Sequence, residues 1–446
     1  MNSSKVARIL AFIVVFEYLI GIVSTLTFQS SRLQETWSGW TCDELTPDLC
    51  DDLEVSSGTV AMEHGLFVKY WKYSSPSATN NRNTSDDSLL YPIIAVHGGP
   101  AFTHNYMLPL KQQACRGRDI YFYDQTGCGE SKIPTANRTE DYPHLLDPQY
   151  YATIELPTLI NYWGLHKYHV VGNSWGTILL QYFELNARPT GLVSMTLSGP
   201  LSDGDLYIQS QWDAEVGNLG NLPPFVQKRI RHLEKTKQYE SEEYNAINEA
   251  LTGFFTVRTT PHPDCFQKSE EGVNAYIYVG MQGASEFAFG GVLAHFNTTP
   301  RLPTVRVPVL LTSGAFDTMR PLVVDAMYQT IPQVEWVVLN HSGHISMIDD
   351  AGWMNDVVED FLNRVESVRA NTMEFSPNIE ACGTPGCRSK YELRNDPTAD
   401  TKILATRVGY SLWSLVASFF VGLGISWLGT TISVKYHQRK NQYELI

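Results

Sequence analysis

Four short apolar runs in the first half of the chain each stop at a glycine-rich turn, and this rhythm restricts the fold more than any other feature. Residues 92–96 lead into His97-Gly98-Gly99-Pro100, and residues 120–123 into Asp124-Gln125-Thr126-Gly127-Cys128-Gly129. Residues 168–171 lead into Gly172-Asn173-Ser174-Trp175-Gly176, and residues 192–197 into Ser198-Gly199-Pro200. Helical patterns lie between several of the runs, at 148–163 and 177–186. Strands alternating with helices predict a mainly parallel sheet with helices on both faces. In such a sheet, function belongs in the turns beyond the carboxyl ends of the strands. Residues 65–73 alternate in polarity and predict an edge strand.

The rhythm breaks at 203–300, which is rich in charged and aromatic residues and reads as helical at 227–249. We read this segment as a cap inserted between two parts of one catalytic domain, 42–202 and 301–368. The sheet resumes at 307–312 and 334–339, and a helix from 353 to 368 closes it. Of the 446 residues, 43% are hydrophobic, which is ample for one large core. The 33 Lys+Arg against 47 Asp+Glu leave a formal charge of -14. That argues against nucleic acid as a partner, because phosphate neutralisation needs a basic face.

The segment Gly172-Asn173-Ser174-Trp175-Gly176 is a G-x-S-x-G motif, entered by a strand and left by a helix. In that context a sharp turn lifts the serine hydroxyl out of the sheet, and crowding by neighbouring chains demands the glycines. A serine hydroxyl is a weak nucleophile until a base takes its proton. His344, after the strand at 334–339, is the expected base, with His341 as its rival. Asp317, after the strand at 307–312, is the expected acid, with Asp325 as its rival. Asp349 and Asp350 read as solvated helix-start residues. The order Ser, Asp, His is that of the α/β-hydrolase fold. The negative oxygen of a tetrahedral intermediate needs two backbone N–H donors. Trp175 supplies one in this reading. The turn 97–100 supplies the other, because the missing side chains of Gly98 and Gly99 let backbone approach substrate. Gly99 is the expected donor, with Gly98 second and in contact with substrate, and His97 reads as a structural loop residue.

These motifs together resemble the proline iminopeptidase family of α/β-hydrolase serine peptidases, over about residues 55–368. His97-Gly98-Gly99-Pro100 is similar to the family's His-Gly-Gly-Pro-Gly, with Ala101 in place of the last glycine. The run from Asp124 to Ser131 resembles its Asp-Gln-x-Gly-x-Gly-x-Ser loop, and Ser174-Trp175-Gly176 its nucleophile. Gly283-Ala284-Ser285-Glu286-Phe287 resembles a cap motif whose glutamate holds the free α-amino group of the substrate. The resemblance thus implies an aminopeptidase with Glu286 as amine anchor. No cofactor is expected, and no metal site either, because His and Cys do not cluster at ligand spacing apart from Cys382 and Cys387. One departure stands out: family members often carry a second glutamate after the triad aspartate, where this chain has Thr318. Two other readings remain at this stage: an esterase or amidase acting on a lipid or small metabolite, and a non-catalytic adhesion protein.

Residues 1–28 read as a signal peptide or an uncleaved signal anchor, with Lys5 and Arg8 before an apolar run that Glu17 interrupts. Residues 408–434 carry no charged side chain, and about 20 apolar residues span a bilayer, so they predict a transmembrane helix after a linker at 369–407. Lys435, Arg439 and Lys440 follow it, which places 435–446 in the cytosol and the catalytic domain in a lumen or outside the cell. The ending Tyr443-Glu444-Leu445-Ile446 resembles a tyrosine-based sorting signal read by clathrin adaptors, implying an endosomal or lysosomal route. Local disulfides are expected between Cys42 and Cys50 and between Cys382 and Cys387, with Cys128 free. Glycosylation sequons fall at Asn83, Asn137 and Asn297. A further sequon at Asn340 lies too near His344 to be an expected glycan site.

Overall fold

The computed structural model describes residues 41–76, 90–134 and 138–370. Residues 1–28, the 408–434 segment and the tail lie outside these residues, as does the expected linker except for 369 and 370, which continue the closing helix; Asn83, Asn137, Cys382 and Cys387 also lie outside. Among the described residues no helix is long and apolar enough to cross a membrane.

Eight strands form one sheet in the order β1-β2-β4-β3-β5-β6-β7-β8. They are β1 (Glu54–Ala61), β2 (Phe67–Ser74), β3 (Ile93–Val96), β4 (Ile120–Tyr123), β5 (Tyr168–Asn173), β6 (Leu192–Ser198), β7 (Val309–Gly314) and β8 (Val334–Leu339). The pairs β1–β2 and β2–β4 are antiparallel, and every other pair is parallel. The expected edge strand at 65–73 needs correction. It is β2, second from the edge, and the mostly exposed β1 lies outside it. Polar residues of β1 such as Ser56, Ser57 and Thr59 suit a solvent-facing edge.

The parallel strands are short and apolar because both faces are covered. Side chains alternate across the sheet. Ile94, Val96, Tyr123, Val170, Met195, Leu197 and Leu311 join one core cluster, and Ile93, Ala95, Phe122, Val171 and Leu310 join the other. Helices α1 (Leu156–Tyr162), α2 (Trp175–Tyr182) and, later in the chain, Pro321–Tyr328 cover the first face. The closing helix Ala351–Ala370 covers the second, through Met354, Val358, Phe361, Leu362 and Val365. Phe361 is fully buried there, so its truncation to Ala costs about 3–5 kcal/mol.

Between β6 and β7 the chain forms α3 (Gly204–Gln211), α4 (Pro224–Lys235), α5 (Glu242–Phe255), α6 (Asp264–Glu271) and α7 (Ala275–Met281). We number Pro321–Tyr328 α8 and Ala351–Ala370 α9. The single helix read over 227–249 is in fact two. Lys237 takes a positive φ of 54° and Ser241 starts a new helix by accepting from the Tyr244 amide. At the neck of the cap, Asp203 bridges Asn297, whose exposed side chain donates to Asp203 Oδ2 at 2.6 Å.

The disulfides also correct the sequence reading. Cys42 bonds Cys265 of α6, and Cys50 bonds Cys115, across sequence separations of 223 and 65 residues. Closeness in sequence misled because this segment runs over the surface, and its two ends meet different elements. Residues 42–50 therefore form a strap from the sheet domain to the cap. Cys128 is free and buried, and burial pushes its thiol pKa well up.

Candidate active site

β5 ends at Asn173, and the chain turns at Ser174 with φ 55° and ψ -124° before α2 begins. A positive φ at a non-glycine residue is strained, and such strain gathers at functional turns. The neighbouring glycines are sterically required. A Cβ on Gly176 would lie 2.2 Å from the Val96 carbonyl oxygen, and one on Gly172 would lie 2.9 Å from Gly176 backbone.

Asp317 follows β7 and is fully buried. Its Oδ1 accepts from the Met319 amide at 2.8 Å and from His344 Nδ1 at 2.7 Å. That bond leaves His344 Nε2 as the basic lone pair, and Nε2 has no hydrogen-bond partner among the described residues. Burial disfavours the charged ring, but the Asp317 carboxylate and then Glu286 outweigh it and hold the His344 pKa above the ordinary histidine value. The rivals lie elsewhere. The His341 side chain is 81% exposed beside Asp350, and Asp325 on α8 accepts from Gln329.

The elbow and the histidine loop meet through Asn173, whose Nδ2 donates to the His344 carbonyl at 3.2 Å and the Ser198 carbonyl at 3.1 Å. The cap also grips the histidine loop. The amides of His344 and Ile345 donate to the carbonyls of Phe255 and Thr256 at 2.9 and 3.0 Å. Asp349 is not a solvated helix-start residue. Its carboxylate accepts from the amides of Gly343, Arg258 and Thr259, tying the loop to the cap segment between α5 and α6.

The turn after β3 comes against the elbow, and a Cβ on Gly98 would lie 2.8 Å from Ser174 Cβ. Gly98 is not available as an N–H donor, because its amide already donates to Tyr106 Oη at 2.7 Å. Among the described residues the amides of Gly99 and Trp175 have no acceptor. His97 is wholly buried, and burial pushes its pKa down to about 4. The neutral ring donates from Nδ1 to the Gly98 carbonyl and accepts at Nε2 from the Gln125 amide. Gln125 in turn links the His97 carbonyl to the Trp175 indole, at 2.9 and 2.8 Å.

Glu286 reaches the triad from the cap. Its Oε1 accepts from Thr318 Oγ1 at 3.1 Å and from Tyr207 Oη at 3.2 Å, and its Oε2 lies 3.5 Å from Gln282 Nε2. Sequence reasoning missed Tyr106, Asn173, Tyr207 and the Asp349 clamp. Asn173 stood inside a recognised motif, whereas the others make contacts that no local spacing reveals. Among the described residues one group has metal-ligand spacing, Cys42, Asp264 and Cys265, and its two sulfurs are joined in a disulfide.

Comparison with known proteins places the chain in a family of this fold. Residues 91–351 match the family model for the alpha/beta hydrolase fold. The proline iminopeptidase of Clostridioides difficile (strain 630) is 31% identical over 275 residues, covering 61% of this chain and 89% of the relative. That of Lactobacillus delbrueckii subsp. lactis is 31% identical over 274 residues, covering 61% and 90%. The crystal structure of a Mycobacterium smegmatis proline iminopeptidase superposes with a TM-score of 0.59 at 25% identity, covering 70% of this chain and 100% of that one. VinJ, at TM-score 0.60 and 24% identity, covers 70% and 99% and shares the fold. The chain is therefore an enzyme, a serine hydrolase that belongs to the proline iminopeptidase family of the α/β-hydrolase fold.

Proposed function

We propose that the protein is a membrane-anchored aminopeptidase that releases the N-terminal residue of a peptide through an acyl-enzyme on Ser174. The relatives' name points to proline as that residue. Ser174 Oγ attacks the first peptide carbonyl while His344 Nε2 takes its proton. Asp317 holds the ring by Nδ1 and stabilises the imidazolium that forms. The carbonyl oxygen becomes an oxyanion and accepts from the amides of Gly99 and Trp175. His344 then returns the proton to the leaving amine, the C–N bond breaks, and water repeats the sequence to free the acyl group.

The observation that carries the peptidase reading is the Thr318–Glu286 hydrogen bond. It sets a carboxylate beside the residue that follows the triad acid, where a substrate's α-ammonium would lie next to the scissile carbonyl. Glu286→Gln tests it. Activity on free N-terminal substrates should fall about a hundredfold, and activity on N-acetylated ones far less. Equal losses would move the account to its competitor, an esterase or amidase. That second reading draws support from Thr318, which leaves the anchor one carboxylate where family members often have two.

Two further proposals concern location. Disulfides persist in oxidising compartments, and the two seen here support a catalytic domain delivered to a lumen or the cell exterior. The apolar segment 408–434 would anchor it there, and the tail ending Tyr443-Glu444-Leu445-Ile446 would engage a clathrin adaptor.

A further inference from the structure

We infer that Tyr106 and Asn173 form a positioning unit that holds the oxyanion turn, the nucleophile elbow and the histidine loop in register. The inference rests on the Ser174 reading above.

The hydrogen bonds fix their own direction. Tyr106 Oη accepts the Gly98 N–H at 2.7 Å, so its single proton goes to Asn173 Oδ1 at 2.9 Å. Asn173 Oδ1 therefore faces the phenol, and the two hydrogens of Nδ2 go to the carbonyls of Ser198 and His344. A flipped amide would set its oxygen against both carbonyls and its NH2 against the phenol. The phenol's donor and acceptor and the amide's two donors and acceptor are all used. Burial keeps the hydroxyl neutral, and both side chains are only 1% exposed.

Three loops distant in sequence thus converge on two side chains: the turn after β3, the elbow after β5 and the loop after β8. Cohesion alone does not call for this chemistry. Burying polar groups is costly unless every one is satisfied, and Phe at 106 with a small residue at 173 would fill the region without that demand. The polar unit also has a catalytic consequence. It occupies the Gly98 amide and leaves Gly99 as the donor from that turn, while tying the base's own backbone to the residue before the nucleophile. A misplacement of about 1 Å in such a site costs on the order of a hundredfold in rate.

Tyr106→Phe in the full-length protein tests the inference, with rates normalised to Ser174 titrated by a fluorophosphonate. The expected result is a kcat reduced about 10–100-fold with KM within about threefold, the pattern of lost transition-state stabilisation. Affinity for an aminoacyl boronic acid, which mimics the tetrahedral adduct, should fall by the same factor as kcat/KM. A kcat within about twofold of wild type overturns the inference, as does unchanged boronate affinity beside a reduced kcat. A crystal structure of the unmodified protein with the boronate needs no variant. A boronate oxygen about 3 Å from the amides of Gly99 and Trp175 supports the unit. One bonded to the Gly98 amide, with Tyr106 displaced, contradicts it. A wild-type Ser174 that neither probe modifies removes the underlying serine reading instead, so the two failures are distinguishable.

Discussion

Thr318 Oγ1 donates to Glu286 Oε1 at 3.1 Å while lying 3.5 Å from Asp317 Oδ1, so one hydroxyl touches both the triad acid and the cap carboxylate. Family members often carry a second glutamate at this position, and here a neutral donor stands in its place. The donor fixes the orientation of the Glu286 carboxyl group against the residue that follows Asp317.

Thr318→Val keeps the shape and removes the donor. A hydrogen bond to a charged group contributes about 1.5–3 kcal/mol, so KM for free N-terminal substrates should rise about tenfold. Turnover of N-acetylated substrates should change little. Steady-state kinetics on matched aminoacyl and N-acetyl-aminoacyl amides checks this. Equal effects on both would show that Thr318 serves the triad and not the anchor.

The pH profile tests the electrostatics. In the proposed mechanism His344 must be neutral to accept the Ser174 proton, and burial, which lowers its pKa, is outweighed by Asp317 and then Glu286, which hold it above the ordinary histidine value. Activity should therefore be full at alkaline pH and be lost as pH falls through that raised value. Glu286→Gln removes one of the charges that raise it, so the acid limb of kcat/KM should move to lower pH. An acid limb that stays in place, or moves upward, contradicts the coupling. The same sign means that an acidic lumen would hold the wild-type enzyme below its full rate.

How much of this was legible in the sequence depends on the range of each interaction. The motif around Ser174 predicts the sharp turn between β5 and α2 that the structure shows, because strand, turn and helix adjoin in the chain; Asp317 and His344, each read after a β-rich run, come together at 2.7 Å. The strands at 120–123 and 334–339 coincide with β4 and β8, whose apolar runs are bounded by turns on both sides. What failed was long-range. Cys42 looked paired with Cys50, eight residues away, yet bonds Cys265 across the cap. Asp349 looked like a solvated helix-start residue because nothing near it in sequence reveals the amides of Arg258 and Thr259. Tyr106 carries no motif, and its partners Gly98 and Asn173 come from two other turns.

The strap at 42–50 predicts a covalent map. Proteolysis of the non-reduced protein should yield one linked peptide pair containing Cys42 and Cys265 and another containing Cys50 and Cys115. A peptide carrying a Cys42–Cys50 link would contradict the structure. Cys265→Ser should lower stability by about 2–5 kcal/mol, the usual effect of removing a native disulfide. Thermal unfolding of the variant against wild type measures it.

Direct capture of the acyl-enzyme tests the central claim. The full-length protein in detergent is mixed with a peptide bearing a free N-terminus, quenched in acid within a turnover, digested and analysed by mass spectrometry. The account predicts that the peptide containing Ser174 gains the mass of the substrate's N-terminal aminoacyl group, and that no such adduct forms on Ser174→Ala. An adduct on another residue, or a Ser174 acylated by ester substrates and never by free N-terminal peptides, would contradict it.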